Sequence, residues 1–160
     1  MTSGGIRSTL YALLPRVMHK YWRFSRGLTV GVRAVVIDQA GRVFLVRHHY
    51  APGWHLPGGG VEPGETLLDA LTRELAEEGN IELLAAPALH GIFYHPMYSR
   101  RDHIAIYVVR EFSQDSMPAP NLEIAELGFF APNALPSGTT SATAARIDEV
   151  LYGKPPAQRW

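Results

Sequence analysis

The chain has 160 residues, its 15 Lys plus Arg balance 15 Asp plus Glu, and it holds no cysteine. That length suits one compact domain with a substantial core. The charge balance gives no general case for nucleic-acid binding. The lack of cysteine excludes disulfides, thiolate metal sites and cysteine nucleophiles, and it fits the reducing cytoplasm in which the chain is expected.

Residues 1–26 carry Arg7, Arg16, Lys20, Arg23 and Arg26 and no acid. Leu10, Leu13, Leu14, Val17, Tyr21 and Phe24 recur at roughly helical spacing. This predicts a basic amphipathic helical extension, started, kinked or split by Pro15. Packed on the domain or on a second subunit it would make a homodimer plausible. An arm for anionic lipid and an organellar transit peptide are the alternatives. A secretory signal is a poor match, because the apolar stretch is short and is followed by more basic residues. No apolar run reaches the roughly 20 residues that span a bilayer.

The domain proper is expected over residues 27–153. LTVGVRAVVID (28–38) and RVFLVRHH (42–49) read as strands around a Gln39-Ala40-Gly41 turn, a hairpin at the centre of a sheet. Residues 50–64 are rich in Gly and Pro and read as a loop, broken by a short strand near Trp54–Leu56. A helix follows at about 66–79, then strands near 81–86, 89–95 and 102–111. Residues 113–122 are loop-like, 127–130 a short strand, 141–153 a C-terminal helix and 154–160 a tail. Helices on both sides of a mixed sheet, an α/β fold, is the economical assembly.

The chemistry concentrates in one stretch, GGGVEPGE (58–65), TLLDALT and RELAEEGNI (73–81). Thr66 and Asp69 have capping-box spacing. Leu67, Leu68, Leu71 and Leu75 form the stripe expected to pack on the sheet. Glu74, Glu77 and Glu78 follow at i, i+3 and i+4, so three carboxylates share another face and repel one another. A cation would relieve that repulsion, and oxygen-only ligands favour Mg²⁺ or Mn²⁺. Taken alone, the acids also suit a solvated helix end. Gly58, Gly59 and Gly60 add a backbone able to approach a phosphate or offer a carbonyl to a metal.

The run from Gly59 to Ile81 resembles the Nudix box: Gly, five residues, Glu, seven residues, then Arg-Glu-apolar-any-Glu-Glu-any-Gly-apolar. Gly59, Glu65, Arg73, Glu74, Leu75, Glu77, Glu78 and Ile81 stand at matching places. The late Gly of the pattern is Asn80 here, the next-best residue for a left-handed helix end. The resemblance implies an α/β/α sandwich of Nudix type and a divalent-metal-dependent hydrolase. It implies Glu74, Glu77 and Glu78 as metal ligands, with the Gly58 carbonyl a further one and Glu65 in or just outside the ligand shell. Arg73 would hold a glutamate in position. The proton-accepting carboxylate would be Glu74 or an acid outside the box. Glu123 and Glu126 are the first choices there, with Asp102 and His103 behind them.

The histidines, His48 among them, read as strand or loop residues contacting substrate or solvent, because the acids already supply the metal site. Arg47, Arg100 and Arg101 suit phosphate, and Trp54, Tyr94 and Tyr98 suit a base or ordinary packing. The expected partner is a small-molecule nucleotide: a nucleoside diphosphate linked to another moiety, with nucleotide sugar or ADP-ribose placed first. Nucleoside triphosphates, dinucleoside polyphosphates and a non-catalytic nucleotide sensor are the alternatives. Pro96 and Tyr98 match markers of two different subfamilies and so cancel.

Overall fold

The computed structural model describes residues 27–97 and 99–160. The N-terminal extension and Tyr98 lie outside the described residues. The strands are β1 (Thr29–Val36), β2 (Val43–His48), β3 (Glu82–Leu83), β4 (Ala88–Tyr94), β5 (Asp102–Val109), β6 (Phe112–Ser113) and β7 (Ile124–Phe130). The helices are α1 (Leu67–Gly79) and α2 (Ser141–Tyr152), with a 3₁₀ turn at Pro132–Ala134. β1 runs parallel to β5, which pairs antiparallel with β4. β2 pairs antiparallel with β7, and β3 with β6.

Strand alternation assigns the two faces. Val32, Ala34 and Val36 join Phe44, Val46, Ala105 and Tyr107 in one core beneath Ala70, Leu71 and Leu75 of α1. Val35 and Ile37 join Val43, Leu45, Ile104 and Ile106 in the other, against Ile147 of α2. Full burial of each such aliphatic side chain contributes about 1.5–3 kcal/mol. The strands thus lie between two helices, the α/β/α arrangement expected.

The expected hairpin forms at its turn and then opens. Asp38 Oδ1 accepts from the N–H groups of Ala40 and Arg42, and Gly41 takes φ +74°. Beyond the single bridge Ile37–Val43 the arms separate, because residues 54–61 are wedged between them. Val46 and His55 exchange backbone hydrogen bonds on the β2 side. On the β1 side Val32 and Ala34 donate to the carbonyls of Gly59 and Pro57. The Gly-rich segment therefore has hydrogen-bonded backbone along both edges.

α1 is bounded as its sequence predicts. Thr66 and Asp69 form both halves of the capping box, and Asn80 adopts φ +50° at the C-terminal end. The buried stripe differs by one residue. Leu68 is exposed, and Ala70 takes its place beside Leu67, Leu71 and Leu75. The same stripe continues to Glu78, only 6% exposed.

Residues 154–160, expected as a tail, lie along β4. Tyr94 N–H donates to the Gln158 carbonyl and Trp160 N–H to the Tyr94 carbonyl, each at 3.0 Å. A buried charge cluster secures this segment. Arg146 Nη2 donates to Glu149 Oε1 at 2.6 Å and Nη1 to the Arg159 carbonyl at 3.1 Å. The Ala157 N–H also donates to Glu149, and His90 Nε2 lies 3.0 Å from its other oxygen. The Arg146 guanidinium covers the Phe93 ring at 4.3 Å.

Burial pushes the Glu149 carboxyl up, but His90, the Ala157 N–H and Arg146 outweigh it and hold the group below the usual carboxylate range. As pH falls, the unfolded chain takes up this proton before the folded one does. The contribution is complete above the ordinary carboxylate range and is lost as pH drops through the folded-state value. Glu149→Ala, which strands Arg146 in the core, is expected to cost about 3 kcal/mol. In urea unfolding from neutral into acid pH, Glu149→Gln is expected to show a flatter acid loss than the parent chain.

Candidate functional site

The site forms where the wedged Gly-rich segment meets the C-terminal half of α1 and the loop before β7. Gly58 is fixed first. Its φ of +133° puts a hypothetical Cβ 2.1 Å from the Val32 carbonyl oxygen, so no side chain fits. This turns the Gly58 N–H onto Glu78 Oε2 at 2.7 Å. Arg33 Nη1 braces the segment from the other side, donating to the Leu56 carbonyl at 2.7 Å and the Gly58 carbonyl at 3.3 Å. Gly59 lies against Glu74, where an added Cβ would stand 2.3 Å from Oε1.

The three box glutamates fan around the helix instead of sharing one environment. Glu78 is buried, Glu74 half-buried and Glu77 exposed, yet all three line one cleft with Glu123. Burial pushes the Glu78 carboxyl up to about 8, against the opposing pull of the Gly58 N–H and the Arg33 charge. Burial also raises Glu74, against Arg73.

Arg73 is the clamp of the cluster. Its Nε and Nη2 donate to both oxygens of Glu65, at 2.8 and 3.1 Å, and its Nη1 to Glu74 Oε1 at 2.7 Å. Nη2 also reaches the Gly60 carbonyl at 3.1 Å, and Glu77 stands 3.6 Å from Nη1. Glu65 accepts a further hydrogen bond from the Glu62 N–H. The hydrogen bonds from Arg73 and Glu62 hold its carboxyl well below the usual range.

The two acids outside the box part company. Arg47 pairs with Glu126 across the β2–β7 ladder, and the Arg47 guanidinium stands 6.0 Å from the Trp54 ring, on the face turned away from α1. Glu126 is not among the residues lining the cleft, while Glu123 is. A bulge between Arg47 and His48 resets the register there, so that His48 opposes Ile124. His48 turns toward α1, with Nε2 3.4 Å from Glu78 Oε1 and Nδ1 3.9 Å from Glu123 Oε1. Glu123 also accepts from the Tyr50 hydroxyl at 3.0 Å. Burial, with the neighbouring Glu123, pushes that phenol up to about 12.

His48, read from the sequence as a strand or loop residue contacting substrate or solvent, stands beside two of the acids. Ligand atoms of His48, Glu78 and Glu123 lie within 4.8 Å of one another, a spacing fit for one cation. Burial, then the Arg33 charge, holds the His48 imidazole below its ordinary range and so neutral, the form that binds metals. Sequence reasoning missed Arg33 as well, for it stands alone in an apolar strand. Asp102 lies elsewhere, accepting from Thr29 and facing His95 Nδ1 at 2.7 Å.

Comparison with known proteins agrees with this geometry. A family model described as the NUDIX domain matches residues 27–151. A Bacillus subtilis (strain 168) protein named as a candidate 8-oxo-dGTP diphosphatase is 30% identical over 108 residues, 68% of this chain and 70% of that one. An RNA pyrophosphohydrolase of Legionella pneumophila (strain Corby) is 35% identical over 65 residues, which cover 38% of this chain and 37% of that one. The solved MutT NUDIX hydrolase from Burkholderia pseudomallei has a TM-score of 0.66 at 29% identity, covering 76% of this chain and 97% of that one. With the family model spanning every described strand, α1 and all but the last residue of α2, the chain belongs to the NUDIX family.

Proposed function

We propose that the chain cuts a phosphoanhydride bond in a nucleoside diphosphate linked to another moiety, with a divalent cation at the glutamate cleft. Its class is a hydrolase acting on acid anhydrides. The observation that carries the reading is the buried, undercompensated Glu78 at the meeting of the glycine segment and the acidic cleft. A buried carboxylate is costly unless a positive partner offsets it. The all-carboxylate part of the cleft suits Mg²⁺ or Mn²⁺.

Glu74, Glu77 and Glu78 would hold the ion, with the Gly58 carbonyl alongside them. A bound divalent cation withdraws charge from phosphate oxygens and lowers the pKa of water beside it. The protein does the positioning. Arg73, with both its sides committed to Glu65 and Glu74, fixes Glu74 against the Gly59 backbone. Glu65 serves as the anchor of that clamp, since both its oxygens are already engaged. Glu123 and Glu74 face the cleft as acceptors for the proton of the attacking water, whereas Glu126 is tied to Arg47. In-line displacement needs little more from the protein than such placement and charge.

Nucleoside triphosphates are the second reading, favoured by the name of the Bacillus relative. A screen of triphosphates, oxidised nucleotides, ADP-ribose, nucleotide sugars and dinucleoside polyphosphates separates the classes. Hydrolysis of one class, abolished by chelator, is the expected result. Silence across the panel with metal still bound would shift the reading to a sensor.

Glu78→Gln keeps the shape and removes one charge from the cleft. Its turnover is expected to fall about 10³-fold, roughly 4 kcal/mol at 1.36 kcal/mol per tenfold. Its Tm without metal is expected to hold or rise, because a neutral amide costs less to bury than a carboxylate. Near-normal turnover would sink the ligand assignment. Gly59→Ala tests the clamp: the new Cβ must push Glu74 aside, and kcat is expected to drop about 100-fold, as for a misplacement near 1 Å. A Gly59→Ala enzyme with unchanged kcat would show that the position of Glu74 is irrelevant.

A further inference from the structure

The His48 side chain is buried, and its Nδ1 has no hydrogen-bond partner among the described residues. A buried polar atom of this kind costs about 1–3 kcal/mol unless something satisfies it. Here it is aimed at a carboxylate oxygen, Glu123 Oε1, 3.9 Å away. That gap is too long for a hydrogen bond. Two donors each about 2.1 Å from one ion stand at most about 4.2 Å apart, so it does admit a shared cation. Glu123 is exposed, and the same oxygen accepts from the Tyr50 hydroxyl at 3.0 Å.

The other side of the ring faces a second carboxylate. Nε2 faces Glu78 Oε1 at 3.4 Å, while the second Glu78 oxygen takes the Gly58 N–H at 2.7 Å. Carboxylates that receive the far N–H of a metal-bound imidazole orient the ring and raise its basicity. Alternation along β2 with Phe44 and Val46 is what turns the ring toward α1.

From this geometry we infer that His48 supplies Nδ1 as a nitrogen ligand to a cation shared with Glu123, beside the ion that Glu74, Glu77 and Glu78 would hold, with Glu78 also orienting the ring. The inference rests on the hydrolase reading only for the presence of a divalent cation. A mixed nitrogen and oxygen site gains affinity along the series from Mn²⁺ to Co²⁺ and Ni²⁺, whereas carboxylates alone suit Mg²⁺. The chain should therefore discriminate for Co²⁺ over Mg²⁺ more strongly than its glutamates alone dictate. With Glu123 engaged on the ion, Glu74 is left as the proton acceptor.

The test uses Co²⁺ alone, added to the full chain without nucleotide. Proton NMR of the Co²⁺-loaded protein is expected to show a strongly shifted, exchangeable imidazole N–H. That signal is lost in His48→Gln and kept in the neighbouring exposed His49→Gln. Calorimetric titration is expected to show Co²⁺ affinity falling at least the roughly 10- to 100-fold that loss of an orienting partner costs, with Mg²⁺ affinity changed much less. Absence of any shifted imidazole N–H in the parent chain overturns the proposal without recourse to a variant. So does a Co²⁺ to Mg²⁺ ratio that His48→Gln leaves unchanged. Hydrolysis of nucleotide by a chain lacking the imidazole signal would defeat this inference alone. The signal without hydrolysis would defeat only the hydrolase reading.

Discussion

The hydrogen bond from the Gly58 N–H to Glu78 joins the two halves of the site, and much else in the domain is arranged around it. Glu78 extends the apolar stripe of α1, where Leu71 and Leu75 would lead one to expect another aliphatic residue. An acid there loses its water and must be met by donors. The segment supplying the donor cannot be a free loop, since a mobile N–H would not offset the desolvation. Holding that segment accounts for the opened hairpin. β1 and β2 give up pairing with each other, and each instead takes hydrogen bonds from residues 54–61. Arg33 adds a brace from the strand itself.

Local features of the chain were readable because local physics determines them. The capping box at Thr66 and Asp69 and the left-handed end at Asn80 depend only on residues a few positions apart. The β-branched runs gave the long strands, and the box spacing gave the family. What the sequence could not show depends on distant partners. Leu68 has the same local credentials as Leu71, yet only packing on the sheet decides which of them is covered. The turn at Asp38–Arg42 was legible, while the separation of its arms follows from a segment inserted later in the chain. The docking of the tail was not legible, because Trp160 and Gln158 find Tyr94, far back in sequence.

The choice between Glu123 and Glu126 illustrates the same limit at the site. Three positions apart, they are equivalent on composition. The β2–β7 register puts Glu126 opposite Arg47, and the bulge one residue further on skips Ala125, pairs Ile124 with His48 and leaves Glu123 beside it. Alternation with Phe44 and Val46 already puts His48 on the α1 face. What alternation could not show is that Glu78 and Glu123 meet it there. The acids seemed sufficient in sequence because their different degrees of burial were hidden.

Two buried glutamates in this domain separate structure from chemistry. Glu78 and Glu149 both lie on helices facing the sheet, 6% and 7% exposed. Glu149 meets an arginine, a histidine and a backbone N–H, and the sum holds its carboxyl below the ordinary range. Glu78 receives one backbone N–H and the more distant influence of Arg33, and burial wins. The first cluster is complete as it stands, and its work is to dock residues 154–160 on the α2 face. The second is only partly offset. A fold that satisfies one buried acid fully and the other only in part has divided its two faces, one for cohesion and one, on the function proposed above, for binding.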